Sequence, residues 1–280
     1  MNYLLWLGDP RTFDAALVGG KAANLSRLAR MYHRVPDGFT LPVTVMDEAH
    51  PLDLRDEITR AISDLMACHS LTDLVAAVRS SAADEDGATA SFAGQHETYL
   101  NIVGADAIIN AVVRCWESAR SERALEYRRR QGLAVERVQI AVLVQQLVAA
   151  DVSAVVFSAN PVSGNRNEVV INASWGLGES IVGGTVTPDT FIVNKLDRAI
   201  TRRMIADKQR MTVSVEGGTN EVDAPRFLRT IPSLNDEQVV EIAELAHNLE
   251  KTMGYPVDVE CAYAGGKLYL LQCRPVTTLN

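Results

Sequence analysis

The chain is poor in the features that organise many small or secreted proteins. Its four cysteines, Cys68, Cys115, Cys261 and Cys273, are far apart and form no C-x-x-C pair. A disulfide framework and a thiolate zinc site are therefore not expected, and a cytoplasmic setting fits. No apolar run reaches the roughly 18 residues of a membrane span. Basic charge is in deficit, 27 Lys+Arg against 35 Asp+Glu, for a formal charge of −8. That argues against nucleic acid or an anionic membrane as a partner. The start, Met1 to Trp6, is broken by Gly8-Asp9-Pro10-Arg11 and does not read as a signal peptide. The five histidines, His33, His50, His69, His96 and His247, show no metal spacing, and no Gly-x-Ser-x-Gly elbow suggests acyl transfer. What remains is a core-forming composition, 47% hydrophobic and 22% charged, over 280 residues, enough for two ordinary domains or two lobes.

Periodicity gives a coarse architecture. Helical spacing follows Gly19-Gly20-Lys21, with Ala22, Leu25, Leu28 and Ala29 on one side. A second helix is expected over 54–67 and a long one over 106–130. Short strands are expected over 75–79 and 97–103. Beyond them the chain is dense in β-branched residues at 138–148, 152–157, 168–172 and 190–193. A last helix over 234–253, capped by Ser233, precedes a hairpin at 257–263 and 268–273. Helices interleaved with antiparallel pairs predict an α+β fold.

Several stretches could hold an anion. Gly19-Gly20-Lys21 offers backbone amides, a helix start and a point charge. It is not a P-loop, because Ala22 stands where Ser or Thr would meet magnesium. Arg79, followed by Ser80 and Ser81, makes a fork of donors suited to phosphate; the plainer reading is a surface Arg paired with nearby acids. Ser91 to Gln95 has the small residues of a loop that covers a nucleotide, or of a simple turn. Trp175 to Ser180 is a second glycine-rich loop. Gln145, Gln146, Leu147 and Val148 could offer backbone to an adenine, although an ordinary core strand looks the same.

The C-terminal hairpin carries a geometric argument. Asp258 and Glu260 alternate with Val257, Val259 and Cys261, so the two acids share a face, as do Gln272 and Arg274 on the return strand. A two-residue loop at Gly265-Gly266 puts Glu260 and Gln272 on opposite faces. A three-residue loop sets Glu260 opposite Gln272 and Asp258 opposite Arg274. In the second register oxygen donors suited to Mg²⁺ and a cation project together. That reading is favoured because the flanking apolar residues imply a hairpin at least half buried, where unpaired acids are costly. The competing reading is an exposed Asp258–Arg274 salt bridge, worth at most about 1 kcal/mol.

Taken in order, GGKAANLSRL (19–28), VPDGF (35–39), VRSSA (78–82), SFAGQHETYLNI (91–102), VLVQQLV (142–148), WGLGES (175–180), VTPDTF (186–191) and DVECAYAGGKLYLLQCRPVT (258–277) resemble the N-terminal nucleotide-binding domain of the phosphoenolpyruvate synthase and pyruvate phosphate dikinase family, which includes rifampicin phosphotransferase. The resemblance implies a two-lobed ATP-grasp-type fold that clasps ATP and Mg²⁺. Its N-terminal lobe would be 1–147, with the phosphate-binding residues and glycine loop, and its C-terminal lobe 148–280, with the metal-binding hairpin. It implies that Lys21 and Arg79 contact phosphates and that Gly94 and Thr98 belong to the covering loop. Gln145 to Val148 would line the adenine, and Glu179 would belong to the nucleotide site. Glu260 and Gln272 would be metal-linked donors, and Arg274 would neutralise the moving phosphoryl group.

The departures bear on function. No histidine lies in the Gly-rich, Thr-x-His-like context of the family's phosphocarrier domain, and the segment between VPDGF and VRSSA looks short. The resemblance therefore implies an ATP-dependent phosphotransferase component whose acceptor is a histidine on a separate phosphohistidine-domain protein or a small molecule. The alternatives are a nucleotide-binding regulatory module without turnover and an ATP-grasp ligase acting through an acyl phosphate. Cys261 and Cys273 should face away from the acids.

Overall fold

The structure is a computed structural model that describes residues 3–31, 33–48, 51–82, 97–130, 132, 135 and 138–276. The fold is α+β. The chain separates between Leu147 and Val148 into two compact units, with Glu216–Gly218 grouped with the first.

In the first unit the elements run β1 (Leu5–Trp6), α1 (Ala15–Arg30), β2 (Gly38–Leu41), α2 (Val45–Glu48), α3 (Pro51–His69), β3 (Val75–Ser81), β4 (Thr98–Val103), α4 (Ala105–Ala119), α5 (Glu122–Arg130) and β5 (Ala141–Gln146). The strands form one antiparallel sheet in the order β1-β2-β5-β3-β4. Alternation along β3 and β5 divides their side chains. Ala76, Val78, Val142 and Val144 join Leu54, Ile58, Ile108 and Val112 in the larger core beneath α3 and α4. Leu143 packs on the other face with Val18, Ala22 and Leu25 of α1. The long helix expected over 106–130 is two helices, interrupted at Arg120 and Ser121.

The second unit contains β6 (Val152–Phe157), β7 (Glu168–Trp175), α6 (Glu179–Val182), β8 (Asp189–Asn194), β9 (Ile200–Met204), β10 (Arg210–Val215), β11 (Gly218–Asp223), α7 (Arg226–Arg229), α8 (Asp236–Met253), β12 (Val257–Ala264) and β13 (Lys267–Pro275). Six strands form an antiparallel sheet, β13-β12-β6-β7-β8-β9, and β10 pairs with β11. One face of the six-stranded sheet carries α8, whose Val239, Ile242, Ala246 and Leu249 are buried. The cap of α8 is Asn235, not Ser233: Asn235 and Gln238 form a reciprocal capping box. Ser233 instead gives its N–H and hydroxyl to Asp189, at 2.8 Å each. Gly254, at φ 78°, closes the helix as a left-handed C-cap.

Candidate functional site

Lys21 stands near the start of a helix that begins later than its first hydrogen bonds suggest. Gly19 has φ 77° and ψ 162°, so the chain kinks there and the helix proper starts at Gly20. Only glycine fits, because a Cβ at Gly19 would lie 2.0 Å from the carbonyl oxygen of Ser81. The elbow is pressed onto the end of β3. Gly20 N donates to Ala82 O at 2.9 Å, and Ala22 N donates to the Ser81 hydroxyl at 3.1 Å. The Gly20 and Ala22 amides therefore serve packing. Lys21 is buried and its Nζ donates to Ser80 O at 3.2 Å.

Arg79 lies on the same strand as these serines. Its neighbours Val78 and Ser80 point to the opposite face, so Arg79 shares the α1 side of the sheet with Ala77 and Ser81. Its cross-strand partner on β4 is Thr98, an exposed residue on the same face. The Arg79 Nε is buried and has no hydrogen-bond partner among the described residues. A buried guanidinium donor without an acceptor is costly unless something else supplies one. Lys21, Arg79 and Thr98 thus belong to one region of the first unit. Gly94 and most of its loop lie outside the described residues.

The hinge-proximal residues are more structural than expected. Gln145 is buried and its side-chain amide donates to Pro36 O at 3.0 Å. Gln146 N donates to Asp37 O and Leu147 N to Val75 O, at 2.9 and 2.8 Å. Those two N–H groups are therefore spent on the sheet, whatever Val148 offers. In the second unit, Gly176 has φ +76°, and a Cβ there would meet Thr212 O at 2.3 Å, so this glycine loop is packed closely on β10. Glu179 is half-buried and opens α6.

The hairpin pairs Glu260 with Gln272 and Asp258 with Arg274, as the acid-face argument required, but by a different device. The loop has two residues, Gly265 and Gly266, with φ 55° and 73°, and Ala264 pairs with Lys267. Positive φ at both positions is what a tight hairpin turn needs. The register then shifts between Glu260 and Cys261, leaving Leu271 as the extra residue of a β-bulge. One inserted residue turns the rest of β13 over, so Gln272 and Arg274 come to the acid face. Directly opposed side chains of this kind begin about 4.5–5.5 Å apart.

Asp258 is buried. Its Oδ2 accepts from Arg274 Nε at 2.9 Å and lies 2.8 Å from Nη2. Its Oδ1 is buried with no partner among the described residues. Burial pushes the Asp258 carboxyl above the ordinary carboxylate range; Arg274 opposes that rise and Glu260 adds to it. The competing reading, an exposed salt bridge, fails because the pair is largely buried. Sequence reasoning treated Asp258 only as a partner for Arg274; the orphaned oxygen marks it as part of the site. Cys261 and Cys273 are buried on the other face, and burial pushes the Cys261 thiol up to about 12. Tyr263 on that face donates its hydroxyl to Glu241 of α8.

No group of three His, Cys, Asp or Glu side chains among the described residues could hold a metal alone. The donors at the hairpin instead fit magnesium shared with phosphate oxygens. That ion keeps water and takes one or two carboxylates beside the phosphates it bridges. The unpartnered Asp258 oxygen is the observation that such a cation, or its water, would satisfy.

Residues 43–280 match the pyruvate phosphate dikinase AMP/ATP-binding domain. The chain belongs to that family. The Gly19-Gly20-Lys21 elbow precedes the matched residues but is included in the alignment with the probable phosphoenolpyruvate synthase of Methanocaldococcus jannaschii. That relative is 37% identical over 100% of this chain and 27% of its own length. Its alignment runs to 321 positions, so it carries insertions that this chain lacks. The probable phosphoenolpyruvate synthase of Pyrococcus abyssi is 44% identical over 82% of this chain and 29% of its length. Rifampicin phosphotransferase of Streptomyces sviceus is 36% identical over 99% of this chain and 36% of its length. The chain thus spans well under half of each of these relatives. D-alanine–D-alanine ligase from Bacillus anthracis, complexed with ATP, aligns over 98% of this chain with TM-score 0.38 and 12% identity; the family assignment does not rest on it. Among the described residues no helix is long and apolar enough to cross a membrane.

Proposed function

We propose that this chain binds Mg-ATP in an ATP-grasp-type clasp and serves as the nucleotide-binding component of an ATP-dependent phosphotransferase. The acceptor is a histidine on a separate phosphohistidine-domain protein or a small molecule. The observation that carries the reading is the bulged hairpin, which pairs Glu260 with Gln272 beside a buried Asp258–Arg274 pair whose second carboxylate oxygen lacks a partner. Family membership supplies the nucleotide.

Each residue has a role in that reading. Lys21 and Arg79 hold phosphate oxygens, and the Arg79 Nε gains the acceptor it lacks. Gly94 belongs to the loop over the phosphates, and Thr98, at the start of β4, borders it beside Arg79. Gln145 to Val148 line the adenine through carbonyls and apolar walls, since the Gln146 and Leu147 amides are committed. Glu179 closes the second glycine loop near the nucleotide. Glu260 and Gln272, with Asp258, hold Mg²⁺, which when bound supplies charge neutralisation along the phosphates. Arg274, steered by Asp258, stabilises charge on the phosphoryl group in flight. Catalysis of this kind is positioning plus preorganised charge.

Product analysis tests the proposal. AMP plus phosphate from ATP, with phosphate moved to an acceptor, marks the dikinase route; ADP marks a simple kinase or ligase. Binding of Mg-ATP without turnover marks a regulatory module. A calorimetric titration with Mg-ATP that releases no heat overturns the reading altogether.

A further inference from the structure

A cavity of about 230 Å³ opens on the second unit beneath the turn between β8 and β9. Its apolar floor includes Val169 and Val193, cross-strand partners on the face that carries α8. Glu260 and Gln272 occupy the opposite face of that sheet, so the cavity is a separate place from the hairpin site. Its rim is cationic. Lys195, Arg198 and Lys251 stand against Glu244 and Glu250, in a chain whose overall charge is −8. Lys195 is committed to Glu250, and Arg198 pairs with Glu244 at 2.8 Å while remaining 68% exposed. Lys251 is exposed and makes no ion pair among the described residues.

His247 lines this cavity from α8, and its Nδ1 is buried without a hydrogen-bond partner among the described residues. The imidazole is half-buried. Burial holds its titration below the ordinary histidine value, and Lys251 and Lys195 push the same way against a smaller opposing effect of Glu250. An orphaned ring nitrogen, surplus positive charge and an apolar floor are complementary to one kind of guest.

We infer that this cavity binds a small molecule through an anionic phosphate or carboxylate group, held by Lys251, Arg198 and the His247 ring. The anion would accept hydrogen bonds from Lys251 and Arg198, and from His247 once protonated. Binding would therefore raise the histidine's proton affinity, by linkage. The inference does not depend on the ATP reading, because its probe is local to α8.

The test is a nuclear magnetic resonance titration of the His247 ring protons against pH in the intact chain, with inorganic phosphate, with acetate and with neither. The expected result is a rise in the His247 midpoint of about half a pH unit with a bound anion. A rise with phosphate alone assigns a phosphate group; a rise with both assigns any oxyanion. The exposed double variant Lys251→Ala, Arg198→Ala should abolish the rise. No rise with either probe overturns the inference, as does an equal rise at His33 or in the double variant, which would show a general salt effect.

Discussion

Two buried aspartates on the six-stranded sheet make a natural experiment. Asp189 on β8 and Asp258 on β12 are both buried, and each is paired with a cation. Around Asp189 every valence is used. Its Oδ1 accepts from Lys208 Nζ at 2.7 Å and Ala206 N at 2.9 Å, and its Oδ2 accepts from the Ser233 N–H and hydroxyl. Lys208 spends its other donors on Ala206 O and Ile231 O. Asp258 keeps one oxygen without a partner, and the side chain of its cation is 31% exposed. Burial is common to both; completeness differs. A closed network is a brace, whereas an open one beside other oxygen donors is a place where something binds.

The contrast breaks most sharply if the brace is cut. Lys208→Met should strand the Asp189 carboxylate and cost about 3–5 kcal/mol by chemical denaturation; a loss under about 1 kcal/mol would mean that the pair is not a brace. Arg274→Ala should lower ATP turnover by about 10²–10³-fold, as loss of a charge-stabilising donor does, measured on folded protein because the variant also leaves the buried Asp258 carboxyl unpaired and should lower the unfolding midpoint. Wild-type turnover in that variant removes Arg274 from the chemistry. Glu260→Gln keeps the shape and removes a charge, so the Mg²⁺ needed for half-maximal turnover should rise about tenfold, near 1.4 kcal/mol. An unchanged requirement would shift the metal role to Asp258.

The smallest effect is a pH slope. Because the folded-state carboxyl of Asp258 titrates above the ordinary 3.8, the folded protein holds the proton that the unfolded chain has released. Stability from this group is thus present below 3.8 and is lost as pH rises through the raised folded value. Asp258→Asn should lack that decline, so its stability relative to wild type should increase across the window. Urea midpoints measured across it check the sign, and parallel curves would mean that Arg274 cancels the cost of burial.

Much of the fold was legible in the residue pattern, and the misses have physical causes. The helix expected over 54–67 has one apolar face, which periodicity sees, and the strands at 152–157 and 168–172 are dense in β-branched residues because they are buried on both faces. Ser233 was taken for a cap because Ser, Asn and Asp are local equivalents there. Only the buried Asp189, 44 residues earlier in the chain, shows why the serine is needed elsewhere. The strands β9, β10 and β11 were missed because they bury little and are rich in polar residues; only Met211, Val213 and Val215 of β10 alternate with polar neighbours. At the site, motif order carried the residue choices. Which backbone amides were already committed, at Gly20, Ala22, Gln146 and Leu147, was beyond any sequence pattern.

Residue types and their spacing were enough to determine an α+β chain with two acids on one strand face and an amide and an arginine on the next, because side chains along an unbulged strand alternate. Tertiary structure alone decided that these sets meet. A two-residue glycine turn would have parted them, and the bulge at Leu271 brings them back. Its position depends on pairing along the whole hairpin, and the burial that leaves one Asp258 oxygen without a partner depends on the strands around it.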